Sequence, residues 1–163
     1  MFERYTEHAR RAVFFARYEA TKDGSERIGT EHLLRGIFRE NKKLISYLFP
    51  TDAFKEIAAA VDTRGKGSVP SPDFKKNIEL SEGSKRVILK ATQEANSHST
   101  RSLITSGDLL VGILLEQEDP IAQFLTSHGA NIKEARQLAQ KKERGIPIIG
   151  RLLVSLRRYF RGL

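Results

Sequence analysis

The sequence predicts an all-α fold: a tandem repeat of two four-helix units packed with pseudo-twofold symmetry, plus a C-terminal amphipathic helix. Three observations carry this. First, Ile28-Gly29-Thr30-Glu31-His32-Leu33-Leu34-Arg35-Gly36-Ile37 returns 76 positions later as Ile104-Thr105-Ser106-Gly107-Asp108-Leu109-Leu110-Val111-Gly112-Ile113, with the isoleucines, the Leu-Leu pair and a glycine in register. Second, apolar residues in both copies recur at helical rather than strand spacing. Third, a stretch rich in Gly, Ser and Pro separates the copies. Units this short cannot each bury an apolar face alone, so the two are expected to share one core.

The first helix of copy one places Tyr5, Ala9, Ala12, Val13, Ala16 and Ala20 on one face, with Thr6 near its start and Asp23-Gly24-Ser25 as stop and turn. Its counterpart 75 positions on is Leu80, Ser84, Val87, Ile88, Ala91 and Ala95, with Ser81 replacing Thr6. The change of offset from 75 to 76 puts one extra residue between Ala95 and Ile104, where a loop accepts it at little cost. The second helix opens at Thr30 or Ser106, small hydroxyls suited to capping free N–H groups, and presents Leu33, Leu34, Ile37 and Phe38 or Leu109, Leu110, Ile113 and Leu114. Gly36 and Gly112 fall inside it, each costing about 1 kcal/mol relative to alanine, so a close helix crossing with no room for a Cβ is expected at both. A brief third helix follows at Leu44-Ile45 with Tyr47-Leu48-Phe49, or at Ile121 with Phe124-Leu125. After breaks at Pro50-Thr51-Asp52 and Ser127-His128-Gly129, a fourth helix carries Phe54, Ile57, Ala58 and Val61, or Ile132, Ala135 and Leu138. Copy one therefore spans 1–62, the linker 63–77, copy two 78–140 and a basic tail 141–163.

Composition narrows the function classes. The 163 residues contain no cysteine, which excludes disulfides, a thiolate nucleophile and cysteine-ligated metal centres. Charges throughout residues 1–20 leave no signal-peptide core, and no apolar run approaches the length of a membrane-spanning helix. A cytoplasmic location is consistent with both. Of the formal +8, most belongs to the tail, where seven Lys/Arg from Lys141 onward face one acid; the repeat body carries only +2. A nearly neutral body argues against nucleic acid as a partner. His8, His32, His98 and His128 are scattered without metal-binding spacing, so no metal, cofactor or catalytic residue is expected. Neither a Gly-x-Ser-x-Gly elbow nor a phosphate-binding Gly-x-x-x-x-Gly-Lys-Ser/Thr loop occurs, and a non-enzymatic interaction protein is the expectation.

The opening Phe2-Glu3-Arg4-Tyr5-Thr6-Glu7-His8-Ala9-Arg10-Arg11-Ala12-Val13, the Ile28 to Ile37 block and the doubled four-helix pattern resemble the Clp N-terminal domain, or Clp repeat domain, found at the front of Clp unfoldases, the ClpC type above all. The resemblance covers roughly residues 1–140 and is stronger in copy one. It implies an all-α double repeat that docks substrates and adaptors for an ATP-driven unfoldase and its protease, with protein quality control or regulated proteolysis as the setting. The ATPase modules lie outside such a domain; if the chain is complete, it is a stand-alone relative.

The resemblance also implies a site. In ClpC-type proteins the glutamate of a Thr-Glu-His motif helps bind phosphorylated arginine on tagged substrates. Copy one retains it as Glu31, with Thr30 beside it and Thr6 at the matching point of the opening helix; copy two has Gly107 in its place. A carboxylate can pair with a guanidinium fork while hydroxyls and helix N-terminal amides hold phosphoryl oxygens. The alternative is that Glu31 only favours the positive end of its helix dipole and Thr30 caps that helix.

The tail is the part the resemblance leaves unexplained. On a helical wheel from Ile148, the residues Leu152, Leu153, Leu156, Tyr159 and Phe160 fall on one side, within about 20–140°, and Arg151, Arg157, Arg158 and Arg161 within about 180–300°. Such a cationic amphipathic helix suits an anionic membrane surface, making a peripheral tether the alternative function. The other reading is that its apolar face packs on the repeat body or in a partner's groove.

Overall fold

The computed structural model describes residues 3–63, 73, 75, 77–97 and 103–142, without the side chains of 62, 63, 141 and 142. Most of the linker and the tail beyond Lys142 lie outside the described residues, as does the loop expected to hold the extra residue. Copy one comprises α1 (Glu7–Lys22), β1 (Arg27–Ile28), α2 (Thr30–Glu40), α3 (Lys42–Ser46) and α4 (Thr51–Thr63). Copy two comprises β2 (Glu79–Leu80), α5 (Glu82–Ser97), α6 (Ser106–Leu114), α7 (Pro120–Ser127) and α8 (Ile132–Lys142). The eight expected helices are all present. α8 runs two residues into the span read as tail.

The predicted apolar faces are buried for the most part, with Leu80, Ile88, Phe54, Ala58, Phe124, Ile132 and Leu138 only partly so. Tyr5, Ala9, Ala12, Val13, Ala16 and Ala20 line the inner side of α1, and Ser84, Val87, Ala91 and Ala95 that of α5. α1 stops where Gly24 takes φ 70°, a left-handed value that glycine adopts without a Cβ penalty. At the centre, α2 and α6 contribute Leu33, Ile37, Leu109 and Ile113, each at 1% exposure or less. Burying side chains of this size contributes about 1.5–3 kcal/mol apiece. All nine residues of α6 are buried, because α2, α5, α7 and α8 enclose it.

The glycine expectation holds in both copies. A Cβ on Gly36 would lie 2.1 Å from the Ala12 carbonyl oxygen, and one on Gly112 would lie 2.5 Å from that of Val87. Ala12 and Val87 are themselves repeat equivalents, so the same crossing is built twice.

The periodicity did not announce any β pairing, yet pairing defines the symmetry. β1 and β2 run parallel, with Ile28 opposite Leu80, and a single parallel bridge joins Tyr5 to Ile104. Tyr5 is the equivalent of Leu80, and Ile104 of Ile28. Each copy's entry to its first long helix therefore pairs with the other copy's entry to its second. The hydrogen bonds repeat accordingly: the Thr6 N–H donates to the Ile104 carbonyl at 2.9 Å, and the Ser81 N–H to the Ile28 carbonyl at 2.9 Å. This reciprocal exchange is the signature of a pseudo-twofold axis between the copies.

Candidate functional site

These exchanged segments set two junctions, one at the start of α2 and one at the start of α6. At the first, Gly29 is the N-cap residue in extended conformation, and its N–H donates to His32 Nδ1 at 2.9 Å. With Nδ1 accepting, neutral His32 carries its proton on Nε2, which faces Asp23 Oδ2 at 3.4 Å. His32 is 2% exposed. Burial lowers its pKa below the ordinary histidine value, against the opposing pull of Glu31 and Asp23. Beneath it, buried Arg35 is ion-paired to Glu19 and Asp23, and Arg39 reaches Glu19 at 2.9 Å.

Glu31 curls back over its own helix start. Its two carboxylate oxygens occupy the space a Cβ on Gly29 would need, and Oε1 lies 3.2 Å from His32 Nδ1. The group sits at the positive end of α2 with 42% of its side chain exposed. A crevice lined by Leu34, Val61, Ile121 and Phe124 borders it.

Thr30 and Ser106 correct the expected capping. Each is the first helical residue, one position inside the cap, which is Gly29 in copy one and Thr105 in copy two. Thr105 Oγ1 accepts from the Asp108 N–H at 3.0 Å, and Asp108 Oδ2 accepts from the Thr105 N–H at 2.8 Å. Asp108 is the repeat equivalent of His32, so two different side chains satisfy the same backbone donor. Thr30 is thereby released for another partner. Its hydroxyl contacts both Asp119 oxygens, at 3.1 and 2.9 Å, across the repeat boundary. Asp119 in turn caps α7, accepting from the Ile121 N–H at 2.8 Å.

Thr6 does not join Thr30 and Glu31. It caps α1 through the Ala9 N–H at 3.3 Å and is pinned to Ile104 at the α6 junction. The hydroxyl that arrives beside Thr30 is Ser81, the equivalent of Thr6, which caps α5 through the Ser84 N–H at 3.1 Å. The swap follows from the reciprocal pairing: the opening segment of one copy meets the second helix of the other.

The α6 junction admits no side chain at position 107, although a cavity of about 150 Å³ lined by His8, Glu40, Ser106, Gly107 and Leu138 lies beside it. α8 lies along α6, and a Cβ on Gly107 would stand 2.7 Å from both Cα and Cβ of Ala139. No side chain fits there, which is the physical reason for glycine at the position of Glu31.

Sequence reading missed a repeated ion pair. Arg11 Nε donates to Glu40 Oε1 at 3.0 Å, and Arg86 Nε donates to Glu116 Oε2 at 3.0 Å. His8 joins Glu40 at 2.7 Å and Lys90 joins Glu116 at 2.6 Å. Burial alone pushes the Glu116 carboxyl up, but Lys90 and Arg86 outweigh it and hold the group below the usual glutamate value. Arg11 and Arg86 are 75 apart, Glu40 and Glu116 76 apart, so the register carried the signal.

A sequence model of the Clp repeat (R) N-terminal domain matches residues 4–128. The chain belongs to this family. Among curated relatives, this Clp repeat chain is 28% identical over 143 residues to the negative regulator of genetic competence ClpC/MecB of Bacillus subtilis, covering 84% of the chain and 17% of that protein. It is 31% identical over 142 residues to the chloroplastic chaperone protein ClpC1 of Oryza sativa subsp. japonica, covering 83% of the chain and 15% of that protein. The chain thus spans about a sixth of the length of these relatives. The N-terminal domain of ClpD from Arabidopsis thaliana superposes with a TM-score of 0.60 at 25% identity, over 89% of this chain and 97% of that one. The Hsp104 N-terminal domain from Candida albicans gives 0.64 at 19% identity, over 88% and 93%, and shows the shared fold. Among the described residues no helix is long and apolar enough to cross a membrane, and no cluster of metal-ligating side chains is found. The tail residues Arg151, Leu152, Leu153, Leu156, Arg157, Arg158, Tyr159, Phe160 and Arg161 lie outside the described residues.

Proposed function

We propose that this Clp repeat domain is a non-enzymatic docking module that receives a protein partner, substrate or adaptor, for a Clp unfoldase and its protease, in the cytoplasm. The observation that carries the reading is the Glu31 carboxylate. It is half-exposed at the N-terminus of α2 beside an apolar crevice, while at the counterpart position α8 leaves room only for glycine. A carboxylate so placed can take a guanidinium fork from a partner's arginine. The Thr30 hydroxyl is already committed to Asp119, whose negative charge opposes a phosphoryl group next to it. The site therefore suits an unmodified arginine better than a phosphorylated one.

Co-purification from the native cell tests this with three tagged forms: intact, truncated after Arg144, and Glu31→Ala. The first two should retain a Clp unfoldase, protease subunit or adaptor, and Glu31→Ala should lose it. Retention by all three forms would remove Glu31 from the interface.

The segregated faces of residues 148–163 favour a second reading, a peripheral membrane tether. A peptide of residues 145–163 should then gain helicity on anionic vesicles and not on neutral ones. No gain on either would end that reading.

A further inference from the structure

The cavity of about 150 Å³ beside the start of α6 is walled by three helices: Glu40 closes α2, Ser106 and Gly107 open α6, and Leu138 and Ala139 come from α8. It is separate from the Glu31 junction. Its polar groups are buried and incompletely bonded. The Glu40 side chain is 7% exposed, and all its contacts run to one oxygen, Oε1, which takes His8 at 2.7 Å and Arg11 at 2.8 and 3.0 Å. The other oxygen, Oε2, has no partner among the described residues. A carboxylate oxygen so placed costs free energy until something donates to it.

The start of α6 supplies donors to the same cavity. The first turn of a helix has N–H groups with no intrahelical acceptor. Thr105 takes two of them, the Asp108 N–H through Oγ1 at 3.0 Å and the Leu109 N–H through its carbonyl at 3.1 Å. The N–H groups of Ser106 and Gly107 have no acceptor among the described residues, and the Ser106 hydroxyl has no partner there although the residue is only 5% exposed. Two N–H groups and a hydroxyl, at the positive end of a nine-residue helix, thus share a cavity with a bare carboxylate oxygen.

This pairing selects the occupant. A simple anion, a phosphoryl group included, would meet the charge of Glu40. A simple cation would meet the positive helix end, and a guanidinium has no acceptor to offer the α6 amides. A small zwitterion satisfies both sides. Size narrows the class further, since an apolar cavity of this volume holds a molecule no larger than benzene. Leu44, Leu138 and Ala139 give the uncharged part of the ligand an apolar wall.

We propose that this cavity binds a free α-amino acid with a small apolar side chain, its ammonium donating to Glu40 Oε2 and its carboxylate accepting from Ser106 and Gly107. Occupancy ties α2 of copy one to α6 and α8 of copy two, so the ligand stabilises the docked pair of repeats.

The test uses the full chain, titrated with L-alanine, alaninamide, N-acetylalanine, methylguanidinium and tryptophan, and reads the backbone amide resonances of Ser106 and Gly107 together with the melting temperature. Alanine should shift both resonances saturably and raise the melting temperature. It should bind at least about tenfold tighter than alaninamide, which lacks the carboxylate, and N-acetylalanine, which lacks the ammonium. Tryptophan, too large for the cavity, should not bind. Glu40→Gln, checked for intact helicity, should weaken alanine about tenfold or more, and Ser106→Ala, which leaves the Glu40 ion pairs in place, should weaken it as well. Glu31→Ala should leave it unchanged, so this site and the Glu31 reading fail separately. The absence of any saturable shift with alanine would overturn the proposal, as would an alanine affinity indifferent to both Glu40→Gln and Ser106→Ala. Alaninamide binding as tightly as alanine would do the same, since a peptide's amino terminus would then serve. So would equal binding of N-acetylalanine, methylguanidinium or tryptophan, because the cavity would then read neither paired charges nor size.

Discussion

Replacing Gly36 with alanine should destabilise the protein, although alanine is the better helix former. The gain from propensity is about 1 kcal/mol. Against it, the new Cβ would lie 2.1 Å from the Ala12 carbonyl oxygen and 2.7 Å from the Ala16 nitrogen, where 3.0 Å is the closest approach real Cβ atoms make. Both obstacles are backbone, so no rotamer change relieves them, and α1 and α2 must part by roughly 0.9 Å along a crossing packed with alanines. Overpacking of this kind costs roughly 1–3 kcal/mol and can exceed that when backbone must move, leaving a net loss of about 1–2 kcal/mol. At Gly112 the shortfall is smaller, with 2.5 Å to the Val87 oxygen, and the net loss should be smaller too. Gly83→Ala is the control, because its nearest neighbour, Thr30 Cγ2, is 3.5 Å away in ordinary contact. In urea denaturation followed by circular dichroism, Gly36→Ala should lower the midpoint by about 0.5–1 M at unchanged slope, Gly112→Ala by less, and Gly83→Ala not at all. A midpoint raised by Gly36→Ala would show that the helices are not in backbone contact there and would refute the shared-crossing argument.

Other consequences can be checked alongside. Gly107→Glu, which gives copy two the residue that copy one carries at position 31, should not create a second site; it should push α8 off α6, seen as faster amide exchange across Ile132–Lys142. Thr30→Val removes a hydroxyl donor from Asp119 at nearly constant volume and should cost about 1–3 kcal/mol in denaturant unfolding, with Thr30→Ser recovering most of it. His32 should make stability pH-dependent in a defined window. Its folded pKa lies below the unfolded value near 6.5, so the unfolded chain binds the proton first and stability falls as pH drops from there toward the folded pKa. His32→Asn, which keeps an acceptor for the Gly29 N–H, should flatten that part of the pH profile.

What the sequence made legible was whatever repeats with a period. The Leu-Leu pair, Gly36 with Gly112 and the alanine faces of α1 and α5 are fixed by helical spacing and by the offset between copies, and each sits where expected. Capping was misplaced by one residue, because Thr105 and Ser106 offer two hydroxyls in succession and Gly29 has no side chain to announce itself as a cap. The parallel pairings were invisible for a different reason. β1 and β2 are two residues each and the Tyr5–Ile104 bridge is one, too short for any alternation to show. Grouping Thr6 with Thr30 and Glu31 failed through the same blind spot, since only the exchanged pairing reveals that Ser81 is the hydroxyl beside Thr30. The sealing of Gly107 by Ala139 depends on where α8 docks, which no local pattern encodes.

The exchanged pairing also explains how two copies with the same helical pattern present different surfaces. Each junction is built from both copies, so a change in one repeat alters a surface belonging to the other. Asp119, in copy two, takes the hydroxyl of Thr30 in copy one; α8 needs glycine at 107 to lie on α6, and that contact leaves no room for a carboxylate in the junction where Thr6 of copy one arrives. Neither junction exists in an isolated repeat, because β1 has its partner in β2 and Tyr5 has its partner in Ile104. One junction that admits only glycine and one with an open carboxylate thus come from the same reciprocal pairing. That coupling is why the site chemistry cannot be read one repeat at a time.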